Sequence, residues 1–223
     1  MDGAQALLGA LLVRRDPAGA RIGRIVEVEA YGGEDDAASH ARSGRTGRNG
    51  AMYGPPGHAY VYRVYGMHHC LNVVTGPPGR PSAVLVRAVE PVASLDAVRA
   101  ALVATAAARR RVADPDRAWI DRARIGRLPA ASLASGPGLV AAAFSVTLDD
   151  DGSDLCAGTS ALRLGLARPA DPGAASTVEP VVTAGPRVGI AYAAAPWDAV
   201  PWRLWLADSP AVSRARGARR SAG

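Results

Sequence analysis

Two short stretches of the chain gather the residue types that could do chemistry. In Arg24-Ile25-Val26-Glu27-Val28-Glu29-Ala30-Tyr31, strand alternation puts Glu27, Glu29 and Tyr31 on one face and Val26 and Val28 on the other. A carboxylate and an aromatic ring thereby share one surface. In His58-Ala59-Tyr60-Val61-Tyr62-Arg63-Val64-Tyr65-Gly66, Tyr60 and Tyr62 share a face. Tyr65 precedes Gly66 at the tip of an expected hairpin, from which its ring would project. Five of the six tyrosines and all four histidines fall between Tyr31 and His69, in a chain that is only 5% aromatic. Each residue alone has an ordinary reading, Glu29 as a solvated carboxylate and Tyr60 and Tyr62 as core rings with wet hydroxyls. It is the clustering that favours a shared site.

Other chemistries find less support. His68-His69-Cys70 offers metal-ligating types, but adjacent strand residues point to opposite faces, so packing is the favoured reading and neither a metal nor a cofactor is expected. The His-x-Glu and Pro-Cys-x-x-Cys pair of a zinc deaminase is absent, and Cys70 and Cys156 cannot make a disulfide framework or a Cys-based zinc site. All 26 basic residues are arginine, so Schiff-base catalysis would have only the N-terminal amine to use. The net charge of +6 suits a polyanionic partner such as nucleic acid. No apolar run approaches the roughly 20 residues that span a bilayer, and Met1 to Gln5 lacks the basic start of a signal peptide. A soluble, intracellular protein is expected.

These residues need a scaffold. Ala4 to Val13 reads as a helix, followed by a strand from Ala20 to Tyr31. A long loop from Gly32 to Pro56 has the length of a functional segment. Strands are expected at His58 to Tyr65, His68 to Thr75 and Ser82 to Glu90, and two helices between Ala93 and Arg127. A short helix ending at Phe144, an acidic turn at Asp149 to Gly152, strands near Leu162 to Leu166 and Arg187 to Ile190, and a surface loop at Pro169 to Ser176 complete the pattern. The fold class is α+β, with one domain over residues 1–211 and a disordered basic tail over 212–223.

Taken together, Arg24 to Pro91 resembles the alkyladenine, or methylpurine, DNA glycosylases. The resemblance rests on RIVEVEAY at Arg24, EDDAASH at Glu34, RTGRNGAMY at Arg45, YVYRVYGMHHCLNV at Tyr60 and VLVRAVEP at Val84. It continues more weakly through SGPG at Ser135, RVGI at Arg187 and PWRLW at Pro201. It implies a curved, largely antiparallel sheet flanked by helices, with a protruding hairpin. It also implies a monomeric bacterial enzyme of the cytoplasm and nucleoid that flips alkylated or deaminated purines out of duplex DNA and hydrolyses the glycosidic bond. By position, Glu29 matches the base that activates water and Arg87 an arginine that helps hold that water. Tyr31, His40 and Tyr62 match the rings that sandwich the base, Asn72 a pocket asparagine that excludes guanine, and Tyr65 the residue that fills the gap in the stack. Arg45, Arg48 and Arg63, with Met52 beside them, are expected along the DNA backbone. Two departures stand out: Leu139 replaces a frequent lysine, and His68 and His69 replace aromatic or apolar residues. Two rival readings are a non-catalytic DNA binder using the same tyrosines, and a metallohydrolase built on His68 and His69.

Overall fold

A computed structural model describes residues 1–17, 19–109, 115–166 and 180–214. The chain opens with helix α1 (Asp2–Leu7), which stops where Gly9 adopts a left-handed φ of +83°. The apolar run expected to be one helix through Val13 is therefore divided: Leu11 begins strand β1 (Leu11–Asp16). Leucines of good helix propensity are overridden here by strand partners on both edges, Gly19–Tyr31 and Leu162–Gly165, and by full burial of Leu12.

Strand β2 (Gly19–Tyr31) is the spine of the sheet. Strands β3 (Ala59–Val64) and β4 (His68–Val74) form a hairpin, and β4 pairs with β5 (Ala83–Ala93), which in turn lies along β2 from Ile22 to Tyr31. The other edge of β2 is shared, by β1 at its start and by β8 (Arg203–Leu206) at Glu27 to Glu29. Strand β6 (Leu162–Gly165) extends β1, and β7 (Val182–Gly185) extends β8. Every pairing is antiparallel, in the order β3-β4-β5-β2-β1-β6, and the sheet curls into a half-barrel as the resemblance implies.

Helices α2 (Leu95–Ala108), α3 (Pro115–Gly126) and α4 (Pro137–Ala143) supply the α layer, with α4 against β4 and β5 and α2 against both α3 and α4. Between sheet and helices lie Leu12, Ile25, Val28, Leu71, Val86, Leu133 and Phe144, all fully buried, each stabilising the fold by about 1.5–3 kcal/mol. This core is the platform on which the opposite face of β2, β4 and β5 presents the site.

Further expectations are corrected. Arg187 to Ile190 is irregular, bending at Val188 and Gly189 with Gly189 at φ +80°, and the nearby strand is β7. Val26 and Val28 do not share a face. The β2–β5 register shifts between Ile25 and Val28, so Val26 leaves the core of Ile25 and Val28 and packs with Ala88, Leu206 and Ala211. Such bulges re-aim side chains, and here Arg87 on β5 is turned toward both Glu27 and Glu29. At the C-terminal end, Val212 to Arg214 fall within the expected tail, yet Ser213 is buried against Glu27. Pro169 to Ser176 and the rest of the tail lie outside the described residues.

Candidate active site

A cavity of about 290 Å³ opens on the face of the sheet away from the helical core. At its wall Glu29 is completely buried, its carboxylate held from three directions. Oε2 accepts from the Tyr31 hydroxyl at 3.0 Å, Oε1 accepts from the Val188 N–H at 2.6 Å, and the Arg87 guanidinium lies 3.2 Å from Oε1. Burial pushes the Glu29 carboxyl above the ordinary carboxylate range, because desolvation disfavours the ion more than Arg87, the Val188 N–H and Tyr31 restore it. Such a carboxylate is a stronger base than one in water.

Glu27, next on the same face, has a different surrounding. Its oxygens accept from Arg87 Nε at 2.9 Å, Arg203 Nε at 2.6 Å, and the N–H and hydroxyl of Ser213 at 2.6 and 3.0 Å. It does not line the cavity. It acts as the buried counter-ion that anchors Arg87 from behind.

Aromatic rings form the rest of the wall. His40 and Tyr62 meet edge to face with centroids 4.4 Å apart, and Tyr60 and Tyr62 are 5.6 Å apart. His40 Nδ1 is 2.8 Å from the Tyr60 hydroxyl, and burial, with Arg42 nearby, lowers the pKa of His40 so that its ring is neutral at pH 7. Tyr31 stands over the Arg187 guanidinium at 4.8 Å, and Trp202 covers the other contact of that cation at 5.1 Å. Arg187 pairs with Asp36 through two nitrogens at 2.5 and 2.9 Å and also donates to the carbonyls of Ala30 and Trp197. Asp36 further caps the loop by accepting from the Gly32 and Ala38 N–H groups. One buried ion pair thus fixes three things together: the Tyr31 ring, the loop carrying His40, and the bend whose Val188 N–H binds Glu29.

Asn72 lines the cavity with its Nδ2 donating to the Tyr60 carbonyl at 3.0 Å, which sets the direction of its side chain. At the mouth stands Tyr65, 87% exposed. Tyr65 and Gly66 both have positive φ, +52° and +70°, and the Met67 N–H closes the turn on the Val64 carbonyl at 3.1 Å. This turn fits the twist of a two-stranded hairpin, and Gly adopts it freely whereas an aromatic residue does so with strain. Backbone strain of this kind clusters at functional positions.

The structure therefore brings Glu29, Arg87, Tyr31, His40, Tyr62, Asn72 and Tyr65 around one cavity. Arg45, Arg48 and Arg63 are exposed on the loop and hairpin beside it. Met52 departs from expectation: it is buried with Tyr53 and Tyr60 and lines the cavity, leaving no surface for a phosphate. His68 and His69 are not part of the cavity wall, with His68 seated against Gly138 at the start of α4 and His69 paired across the hairpin with Arg63. Leu139 is exposed on α4. Residues that sequence reading passes over are Glu27 as an anchor, the Asp36–Arg187 pair, Val188, Tyr192 and Ser213. Aromatic clustering draws attention to Tyr192 only weakly, since it lies far along the chain.

A solvent-facing cavity with a buried carboxylate and an aromatic lining has the make-up of a hydrolytic site for a flat ring. Comparison with known proteins gives the family. Residues 1–210 match the family profile described as methylpurine-DNA glycosylase (MPG). Proteins named "Putative 3-methyladenine DNA glycosylase" from Myxococcus xanthus, Nocardia farcinica and Methanoculleus marisnigri are 41%, 43% and 44% identical. The alignments cover 95%, 99% and 95% of this chain and 87%, 89% and 92% of theirs. The chain belongs to the methylpurine-DNA glycosylase family, and is a DNA glycosylase, a hydrolase of N-glycosyl bonds in base-excision repair.

Proposed function

We propose that the protein removes damaged purines, 3-methyladenine among them, from duplex DNA by flipping the nucleotide into the cavity and cleaving its glycosidic bond with a water activated by Glu29. The observation that carries this reading is a wholly buried Glu29, bonded to Tyr31, Val188 and Arg87, in the wall of an aromatic cavity. The cavity volume of about 290 Å³ lies at the low end of small-molecule sites, roughly 300–1,000 Å³, which suits one nucleobase.

A base inside a duplex is out of reach, so extrusion must come first, at a cost of a few kcal/mol that stacking of about 1–3 kcal/mol per base on aromatic faces offsets. Tyr65, exposed at the hairpin tip, fills the space the base leaves. Tyr31, His40 and Tyr62 enclose the extruded ring, and a neutral His40 places no positive charge against an alkylated purine that is already cationic. Departure of the base leaves an oxocarbenium-like sugar, which the Glu29 carboxylate stabilises while its oxygen accepts the proton of the attacking water. Alkylated bases leave readily because of their charge, whereas a neutral lesion such as hypoxanthine must gain a proton to leave. With no lysine in the chain, water is the nucleophile and the product is an abasic site in an unbroken strand. Asn72, its side chain directed by the bond to the Tyr60 carbonyl, is the residue assigned to exclude guanine through a clash with the exocyclic amine. The protein acts as a monomer in the bacterial cytoplasm and nucleoid, and the arginine excess draws it to DNA.

The test is excision from duplexes carrying 3-methyladenine, hypoxanthine or ethenoadenine, with a chelator present. Base release with strands that break only after alkaline treatment supports the reading. Release abolished by the chelator, or direct strand nicking, overturns it.

A further inference from the structure

Ser213 lies beyond residues 1–210, the segment covered by the family profile, yet it is buried and its polar atoms all engage the machinery behind Glu29. Its N–H donates to Glu27 Oε2 at 2.6 Å and its carbonyl accepts from Arg203 Nη2 at 3.2 Å. Its hydroxyl donates to Glu27 Oε1 at 3.0 Å and accepts from Arg87 Nη2 at 3.2 Å. Arg87 is thereby held at two corners of its planar fork, Nε by Glu27 and Nη2 by Ser213, while the third nitrogen, Nη1, faces Glu29 at 3.2 Å. Because the guanidinium is rigid and planar, two fixed corners determine the position of the third.

We propose that Ser213 is a positioning residue of the glycosylase reaction, its hydroxyl holding Arg87 so that Nη1 stays on the Glu29 carboxylate. The inference rests on Glu29 being the base, as read above. A positioning role differs from that of a surface plug in what it does to the charge on Glu29. The groups facing Glu29 are Arg87 from β5, Tyr31 and Glu27 from β2, Cys70 from β4 and the Val188 N–H. Of these only Arg87 is a cation, so any slackening of Arg87 makes Glu29 harder to ionise and displaces the pH at which the reaction fails.

The experiment compares full-length wild type, Ser213→Ala, Ser213→Thr and Glu29→Gln in single-turnover excision and in lesion-DNA binding, each across pH. For Ser213→Ala the expected outcome is a rate lower by about 3–10-fold with affinity within about twofold, and an acid limb displaced upward by about 0.5 pH unit. Ser213→Thr, which keeps the hydroxyl, recovers both. A Ser213→Ala protein with wild-type rate and acid limb overturns the proposal, as does a threonine variant no better than alanine, which would place the effect in packing. If Glu29→Gln is inactive while Ser213→Ala is unchanged, the role of Ser213 alone is rejected. If Glu29→Gln excises like the wild type, the assignment of Glu29 fails and the positioning role fails with it.

Discussion

At the scale of single residues, the two glutamates of β2 show how environment divides labour between identical side chains. Glu27 is saturated by two guanidiniums and both donors of Ser213, whereas Glu29 keeps a face on the cavity. Glu29 works as a base only when ionised, and its pKa is raised by burial. The excision rate should therefore fall, as pH decreases, at values above the ordinary carboxylate pKa of about 4.3, and a pH–rate profile with its limb at or below that value would contradict this account. The same shift has a consequence for stability. A carboxyl whose folded pKa lies above its unfolded one favours the fold at low pH and loses that contribution as pH rises through the folded value. Glu29→Gln should then melt no lower than wild type at neutral pH, a comparison made by thermal denaturation alongside the activity loss. At Asn72, replacement by Ser should leave excision of adenine-derived lesions intact while admitting guanine-derived bases, measured as the ratio of their excision rates.

At the scale of elements, the site hangs on two devices, the β3–β4 hairpin and the Asp36–Arg187 pair. Tyr65 has a left-handed φ of +52° at the hairpin tip. Tyr65→Gly should therefore raise stability by about 1 kcal/mol while weakening base flipping, read by thermal melting and by a fluorescent base in the duplex. A variant that flips normally would remove the role assigned to the ring. Asp36→Asn strands a buried guanidinium, and a loss of about 3–5 kcal/mol is expected in denaturant unfolding because that charge has no other carboxylate against it among the described residues. The sequence made some of this legible. Strand alternation found Glu29 and Tyr31 on one face, and the Tyr-Gly pair found the tip. It could not find the Asp36–Arg187 pair, whose partners stand 151 positions apart, nor the bulge that turns Arg87 inward, since neither leaves a periodic trace. The helix expected through Val13 failed because local propensity does not reveal that β6, far along the chain, waits as a sheet partner.

At the scale of the whole molecule, the arrangement separates a packed side from a working side. Helices α2 and α4 seal one face of the curled sheet, and the other face carries the cavity, flanked by the exposed arginines of the loop and hairpin. The excess of positive charge should give DNA binding a steep salt dependence. Replacing Arg45, Arg48 or Arg63 singly should reduce the slope of log affinity against log salt by about 1 for each phosphate no longer neutralised, with lesion preference unchanged. Composition already indicated the anionic partner. It could not indicate Ser213, because a basic, polar C-terminal stretch looks the same whether it is free or seated against a buried carboxylate.

In the proposed reaction one carboxylate, Glu29, performs the hydrolysis after the base has been flipped. The most direct measurement is stopped-flow fluorescence of an ethenoadenine duplex with wild type and Glu29→Gln, followed by quantification of released base in the same samples. Equal flipping by both proteins is expected, with base release lowered by at least about 100-fold in the variant. Release by Glu29→Gln at a rate close to wild type would contradict it.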